Sequence, residues 1–164
     1  MEIDDIIEIE NRYHDESEQS LGRAHAALLD RWTQGLIDRE TCLHLMFLTW
    51  YACSEPGFLT GLPDEAWMPS LFADAFERLG GERTTDREVI FATCTMASRS
   101  YAHCCGDEQN WTAVGERLQR RFDELPRSQL SPDQFEGRGA YGRYFAHILR
   151  RQRARQPQAN PPGA

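Results

Sequence analysis

The residues of this chain that could do chemistry fall into three groups: cysteine with histidine, carboxylate with histidine, and glycine with arginine. His103, Cys104 and Cys105 are consecutive, and Cys42 lies two residues before His44. Thiolate and imidazole are the usual ligands of zinc, and such a site would have to span two helices. The spacing argues against it. Neighbouring helical residues point about 100° apart, whereas structural zinc sites use CxxC or HxxxH separations that let two ligands converge. Neither pattern occurs. Cys42 and Cys53 are eleven residues apart, as are Cys94 and Cys105, so each pair falls on an apolar helical stripe. Buried, inert thiols are therefore expected, with no metal and no cofactor.

The carboxylate and histidine pairs are weaker still. Glu10 precedes His14 by four residues, a base-and-orienter spacing that is also common on helix surfaces and adds only about 0.3 kcal/mol there. His25 sits among Leu21, Leu28, Leu29 and Trp32 and reads as a core histidine, while His147 lies between Arg143 and Arg151 on a solvated face. No GxSxG elbow frames a serine, and no EF-hand loop or ExxH pair is present. All 18 basic residues are arginine, which excludes a catalytic lysine. A catalytic activity is not evident.

Gly137-Arg138-Gly139-Ala140-Tyr141-Gly142 spells GxGxxG, but a helix rather than a strand precedes it, so the dinucleotide reading fails. What survives is an anion site: Arg138, Arg143 and the amides opening the last helix could hold a phosphate or carboxylate. The plainer alternative is that the glycines let the chain turn tightly against the rest of the protein.

The segment from Glu55 to Trp67 stands out for its aromatic and aliphatic content. Phe58, Leu59 and Leu62 lie in a stretch broken by Pro56, Gly57, Gly61 and Pro63, where polar residues are the norm. Large apolar residues in a loop held by a scaffold either plug the end of the fold or anchor a partner. Glu55, Phe58, Leu59 and Trp67 are the candidate contacts. Asp4, Asp5 and Glu8 join them on grounds of charge.

Helices must position all of these residues. Helical punctuation recurs along the chain, and period-2 alternation is nearly absent. Helices are expected over about residues 2–14, 18–34, 38–54, 64–79, 85–105, 107–125 and 140–154, with a short one opening at Ser131-Pro132. The third is apolar on nearly all sides from Cys42 onward and belongs at the centre. The expected fold is all-α: one domain over 1–155, an irregular bundle of about six to eight helices with mostly antiparallel neighbours, and a disordered tail over 156–164.

The net charge is −8, and it is unevenly spread. Residues 1–20 hold eight acids against Arg12, whereas 138–155 hold six arginines and no acid. No stretch approaches the roughly 20 apolar residues of a membrane-spanning helix, and the acidic start is unlike a signal peptide. Free cysteines fit a reducing cytosol.

The leading expectation is thus a small, acidic, cytoplasmic helical protein that binds a partner protein, a basic one on grounds of charge. A bacterial immunity protein, antitoxin or adaptor fits that composition, and homo-oligomers fit too. An enzyme or ligand binder with an inter-helix pocket lined by His25, His44, His103 or cysteines is the second reading. Contact of the arginine-rich last helix with an anionic ligand or nucleic acid is the third, weakened for nucleic acid by the overall negative charge.

Overall fold

A computed structural model describes residues 1–14, 19–126 and 130–155. The described residues form eight α-helices and no strand: α1 (Ile3–Asn11), α2 (Ser20–Thr33), α3 (Arg39–Ser54), α4 (Gly57–Thr60), α5 (Met68–Arg78), α6 (Arg87–Met96), α7 (Glu108–Glu124) and α8 (Gly139–Arg155). The expected all-α bundle is what the chain builds. Residues 156–164, where a disordered tail was expected, lie outside the described residues.

Helix α3 is the axis. Every residue from Thr41 to Trp50 is buried, as its all-round apolar sequence demands. Helices α2, α5, α6 and α8 pack around it, and α1 closes the bundle against α2 and α8. Phe47 sits at the middle of an aromatic layer, with the rings of Trp50, Tyr51, Tyr141, Tyr144 and Phe145 between 5.2 and 6.2 Å from its own. Offset and edge-on ring pairs at these distances add about 0.5–1.5 kcal/mol each beyond simple burial.

Local signals mostly set the boundaries. Asp38 caps α3 by accepting from the Thr41 amide at 2.8 Å. Ser131 and Gln134 form a capping box over the 3-10 turn Pro132–Phe135. At α6 the cap is Asp86, which accepts from the amides of Glu88 and Val89.

The larger departure is the end of α6. A single helix to Cys105 was expected, but α6 stops at Met96, and a turn leads into the 3-10 segment Ala102–Cys104. The Thr95 hydroxyl and the Cys94 thiol both donate to the Phe91 carbonyl, competing with the helical ladder. Helix α7 also crosses close by: a Cβ at Gly115 would lie 2.4 Å from the Ala97 carbonyl oxygen. That approach leaves no room for α6 to continue straight.

Candidate functional site

Between α3 and α5 the chain makes a compact apolar turn. The Glu55 amide closes α3 on the Tyr51 carbonyl at 2.9 Å, and α4 follows at once. Gly61 ends α4 with φ +69°, a left-handed conformation open to glycine at little cost. The turn lies against α2 backbone to backbone, since a Cβ at Gly22 would lie 2.1 Å from the Gly61 oxygen. Thr60 is buried and its hydroxyl accepts from the Leu62 amide at 3.2 Å, while Leu62 itself is buried. The loop's apolar residues therefore divide. Leu62 plugs the bundle, and its neighbours do not.

Phe58 is 79% exposed, with Leu59 at 39% and Trp67 at 44%. Trp67 lies directly before α5 and stacks on the buried His25 ring, 6.4 Å centroid to centroid and 23° between planes. Burial pushes the His25 imidazole down to about 4. Its Nε2 finds no hydrogen-bond partner among the described residues. The segment 55–67 also carries Glu55, Asp64 and Glu65 and no basic residue, and Asp64 and Glu65 are exposed. The result is an acidic apolar surface on a fixed backbone.

The acids of α1 are a separate matter. Asp4, Asp5 and Glu8 are all exposed, and Asp5 accepts from the Glu2 amide at 3.3 Å, closing the first turn. Among the described residues no hydrogen bond or ion pair joins them to Glu55, Phe58, Leu59 or Trp67. The seven candidate partner contacts thus fall into two groups, four on the turn and three on α1.

Glu10 corrects the surface reading of the N-terminal charge. It is fully buried, with one oxygen 2.7 Å from His44 Nδ1 and the other accepting from the amides of Ala140 and Tyr141 at 3.0 and 3.4 Å. Those amides open α8, where the helix dipole favours a negative group. Beyond His44 the network continues. Arg138 reaches Glu40 and Glu88 at 2.6 Å each, Arg39 reaches Glu40, Asp86 and Glu88, and the Tyr141 hydroxyl donates to Glu88 at 2.6 Å. Burial first, and the Glu88 charge second, raise the Tyr141 phenol well above its ordinary value. Burial opposes ionisation of Asp86, but its bonds to Arg39 outweigh that and hold the carboxyl below its usual range.

This arrangement also corrects the anion site expected at Arg138, Arg143 and the start of the last helix. A carboxylate does bind there, and it belongs to Glu10. Arg143 is spent on the backbone carbonyls of Glu10 and Asn11, at 3.0 and 3.2 Å. The glycines serve the turn: Gly139 has φ +64°, and a Cβ at Gly142 would lie 2.1 Å from the Phe135 oxygen.

The cysteines depart in part from the expectation of free, buried thiols. Cys42, Cys94 and Cys105 are free and buried, and burial pushes the thiols of Cys42 and Cys94 up to about 11 and about 12. Such thiols are inert, as expected. Cys53 and Cys104, however, are joined in a disulfide, with their Cα atoms 5.4 Å apart. The missed signal was the polar run Ser98-Arg99-Ser100, which breaks the apolar stripe and marks the end of α6.

A groove of about 640 Å³ is lined by residues of α7 and α8 and their neighbours, among them Phe122, Leu125 and Leu149 with Arg87, Arg153, Arg155 and Asp123. Neither it nor the smaller cavity of about 180 Å³ beside Tyr13 and Tyr144 is lined by His25, His44, His103 or a cysteine. No helix among the described residues is long and apolar enough to cross a membrane. Comparison with protein-family models, curated proteins and solved structures finds no match to this chain.

Proposed function

We propose that this chain is a binding protein that seizes a basic partner protein through the acidic apolar turn 55–67. The observation that carries this reading is Phe58, left 79% in water on a turn whose backbone packs directly against α2. Burying a phenylalanine fully is worth about 1.5–3 kcal/mol, and a rigid backbone spares the partner the entropy of ordering the loop. Aromatic anchors of this kind dominate protein interfaces. The three acids of the turn, within a chain of net charge −8, favour a basic partner and speed the encounter with it. A role like that of an immunity protein, antitoxin or adaptor accords with this chemistry.

The test is affinity purification with the wild-type chain and with Phe58→Ala, followed by mass spectrometry. One stoichiometric partner, held by the wild type and lost by the variant, supports the reading. Equal recovery by both chains overturns it. A second reading rests on the α7–α8 groove, whose lining of Phe122, Leu125 and Leu149 with three arginines suits an anionic amphiphile. Its test is displacement of a bound fluorescent fatty acid, which Arg153→Ala should weaken.

A further inference from the structure

The described residues hold one cluster of metal-ligating atoms, formed by Cys53, His103 and Cys104, with one donor atom from each lying within 4.8 Å of the others. We propose that in its reduced form this cluster is a binding site for a thiolate-seeking divalent ion of the zinc class, and that the Cys53–Cys104 disulfide is its closed, metal-free state. The inference is independent of the partner-binding turn.

The site is built by the fold and not by the disulfide alone. Cys53 stands in the last turn of α3, and His103 and Cys104 belong to the 3-10 segment that follows the end of α6. Trp50 of α3 meets Tyr101 edge-on at 5.5 Å, and Ala102 and Cys105 are fully buried on either side of the ligands. Gly106, with φ +141°, lets the chain turn where a Cβ would lie 2.8 Å from the Trp111 indole nitrogen. Of these contacts, Trp50–Tyr101 joins the two ligand-bearing segments without the sulfurs.

The donor chemistry fits. Zinc takes sulfur at about 2.3 Å and imidazole nitrogen at about 2.0 Å, so tetrahedral ligand edges are about 3.8 Å between sulfurs and about 3.5 Å between sulfur and nitrogen. His103 Nε2 already stands 3.4 Å from Cys104 Sγ. Two thiol sulfurs released from a disulfide separate to roughly the van der Waals distance, which is close to the remaining edge. Cys53 and His103 are exposed, so an ion from solvent has access, and the fourth position falls to water.

The chemistry balances without any group outside these residues, the ion and a thiol couple. A dithiol reductant gives two electrons and two protons to the disulfide, yielding two thiols and becoming a disulfide itself. Binding the divalent ion releases the two thiol protons. A small-molecule disulfide reverses the cycle: it is reduced to two thiols, the protein disulfide re-forms, and the ion leaves.

The experiment titrates Zn²⁺ into the reduced chain against a chromophoric chelator, and repeats the titration with Co²⁺ to read thiolate-to-metal absorption. One equivalent should bind, with the thiolate absorption band present. Cys53→Ser and His103→Ala should each weaken binding at least tenfold, and the oxidised chain should bind at least tenfold more weakly than the reduced one. Both substitutions are at exposed positions, and circular dichroism checks that the variants fold. Failure of the reduced wild type to take up one equivalent overturns the proposal. So does binding that survives either substitution, or binding that is equal in the oxidised chain.

Discussion

His44 Nδ1 lies 2.7 Å from Glu10 Oε1, and both side chains are wholly removed from solvent. The bond ties α1 to α3, while the second oxygen of Glu10 caps α8, so one carboxylate joins three helices. Removing one partner of a buried hydrogen-bonded pair strands the other, which typically costs about 1–3 kcal/mol, and more where a charged group is left unsatisfied. Glu10→Ala should therefore lose about that much in urea unfolding, whereas Glu8→Ala, two residues away and exposed, should stay within about 0.5 kcal/mol. Equal effects at the two positions would contradict the network.

His25 predicts an acid-sensitive stability. Burial depresses its imidazole from an ordinary 6.5 to about 4, so between these values the unfolded chain binds a proton that the folded chain refuses. Stability is then complete above about pH 6.5 and falls as the pH drops toward 4, by about 3 kcal/mol at most. Carboxylates such as Asp38 and Asp86, held below their usual range, also lose stabilisation in acid, so the readout is a difference. His25→Leu should flatten the pH 4 to 6.5 limb of the unfolding profile relative to wild type. A profile parallel to the wild type would show that His25 is protonated in the folded chain.

Phe58 and Leu62 should separate cleanly. Leu62 is buried and Leu62→Ala should cost about 2–5 kcal/mol, whereas Phe58→Ala should change stability by no more than about 0.5 kcal/mol. The cost of Phe58→Ala should appear instead as about 2 kcal/mol of partner affinity. Thermal or denaturant unfolding of the two variants, with partner binding measured beside it, is sufficient. Loss of stability at Phe58 would return that residue to the core.

Gly22→Ala tests whether the turn is fixed as described. Its new methyl would meet the Gly61 oxygen 2.1 Å away, a backbone atom that can yield only if α4 moves. Overpacking of this sort costs about 1–3 kcal/mol, and the shift should weaken partner binding although Gly22 itself presents no side chain. Unchanged binding in a destabilised variant would show that the position of α4 is irrelevant to recognition.

The elements were legible where periodicity and caps agreed. The all-round apolar run of α3, the Asp38 cap and the Ser131 box all appear as the residues imply. Long-range chemistry was not. Glu10 reads as one of eight N-terminal acids, and nothing local to it signals that His44 and the start of α8, some 130 residues on, converge on its carboxylate. The apolar loop was visible as an anomaly, but which of Phe58 and Leu62 points inward depends on the Gly22–Gly61 contact, a pairing that sequence spacing does not reveal. The disulfide was lost through a single wrong helix end. Carrying α6 through to Cys105 placed Cys104 on a rigid rod, whereas the break after Met96 swings it to the end of α3.

That disulfide gives the last prediction. Cys53 and Cys104 are 51 residues apart in sequence, so the bond closes a long loop and removes conformational freedom from the unfolded chain. In a chain-entropy account a loop of that length is worth about 4 kcal/mol, and native bonds typically deliver about 2–4. Unfolding with a reductant, in the presence of a chelator so that no metal replaces the lost bond, should be easier by that amount. Cys53 is exposed, so Cys53→Ser leaves no cavity and should match the reduced wild type in stability. A reductant should then have no further effect on the variant, because Cys42, Cys94 and Cys105 are buried singly. If reductant destabilises Cys53→Ser as much as wild type, a different pair of thiols is bonded. If it destabilises neither, the sulfurs are free in solution, and the end of α3 is held to the 3-10 turn by packing alone.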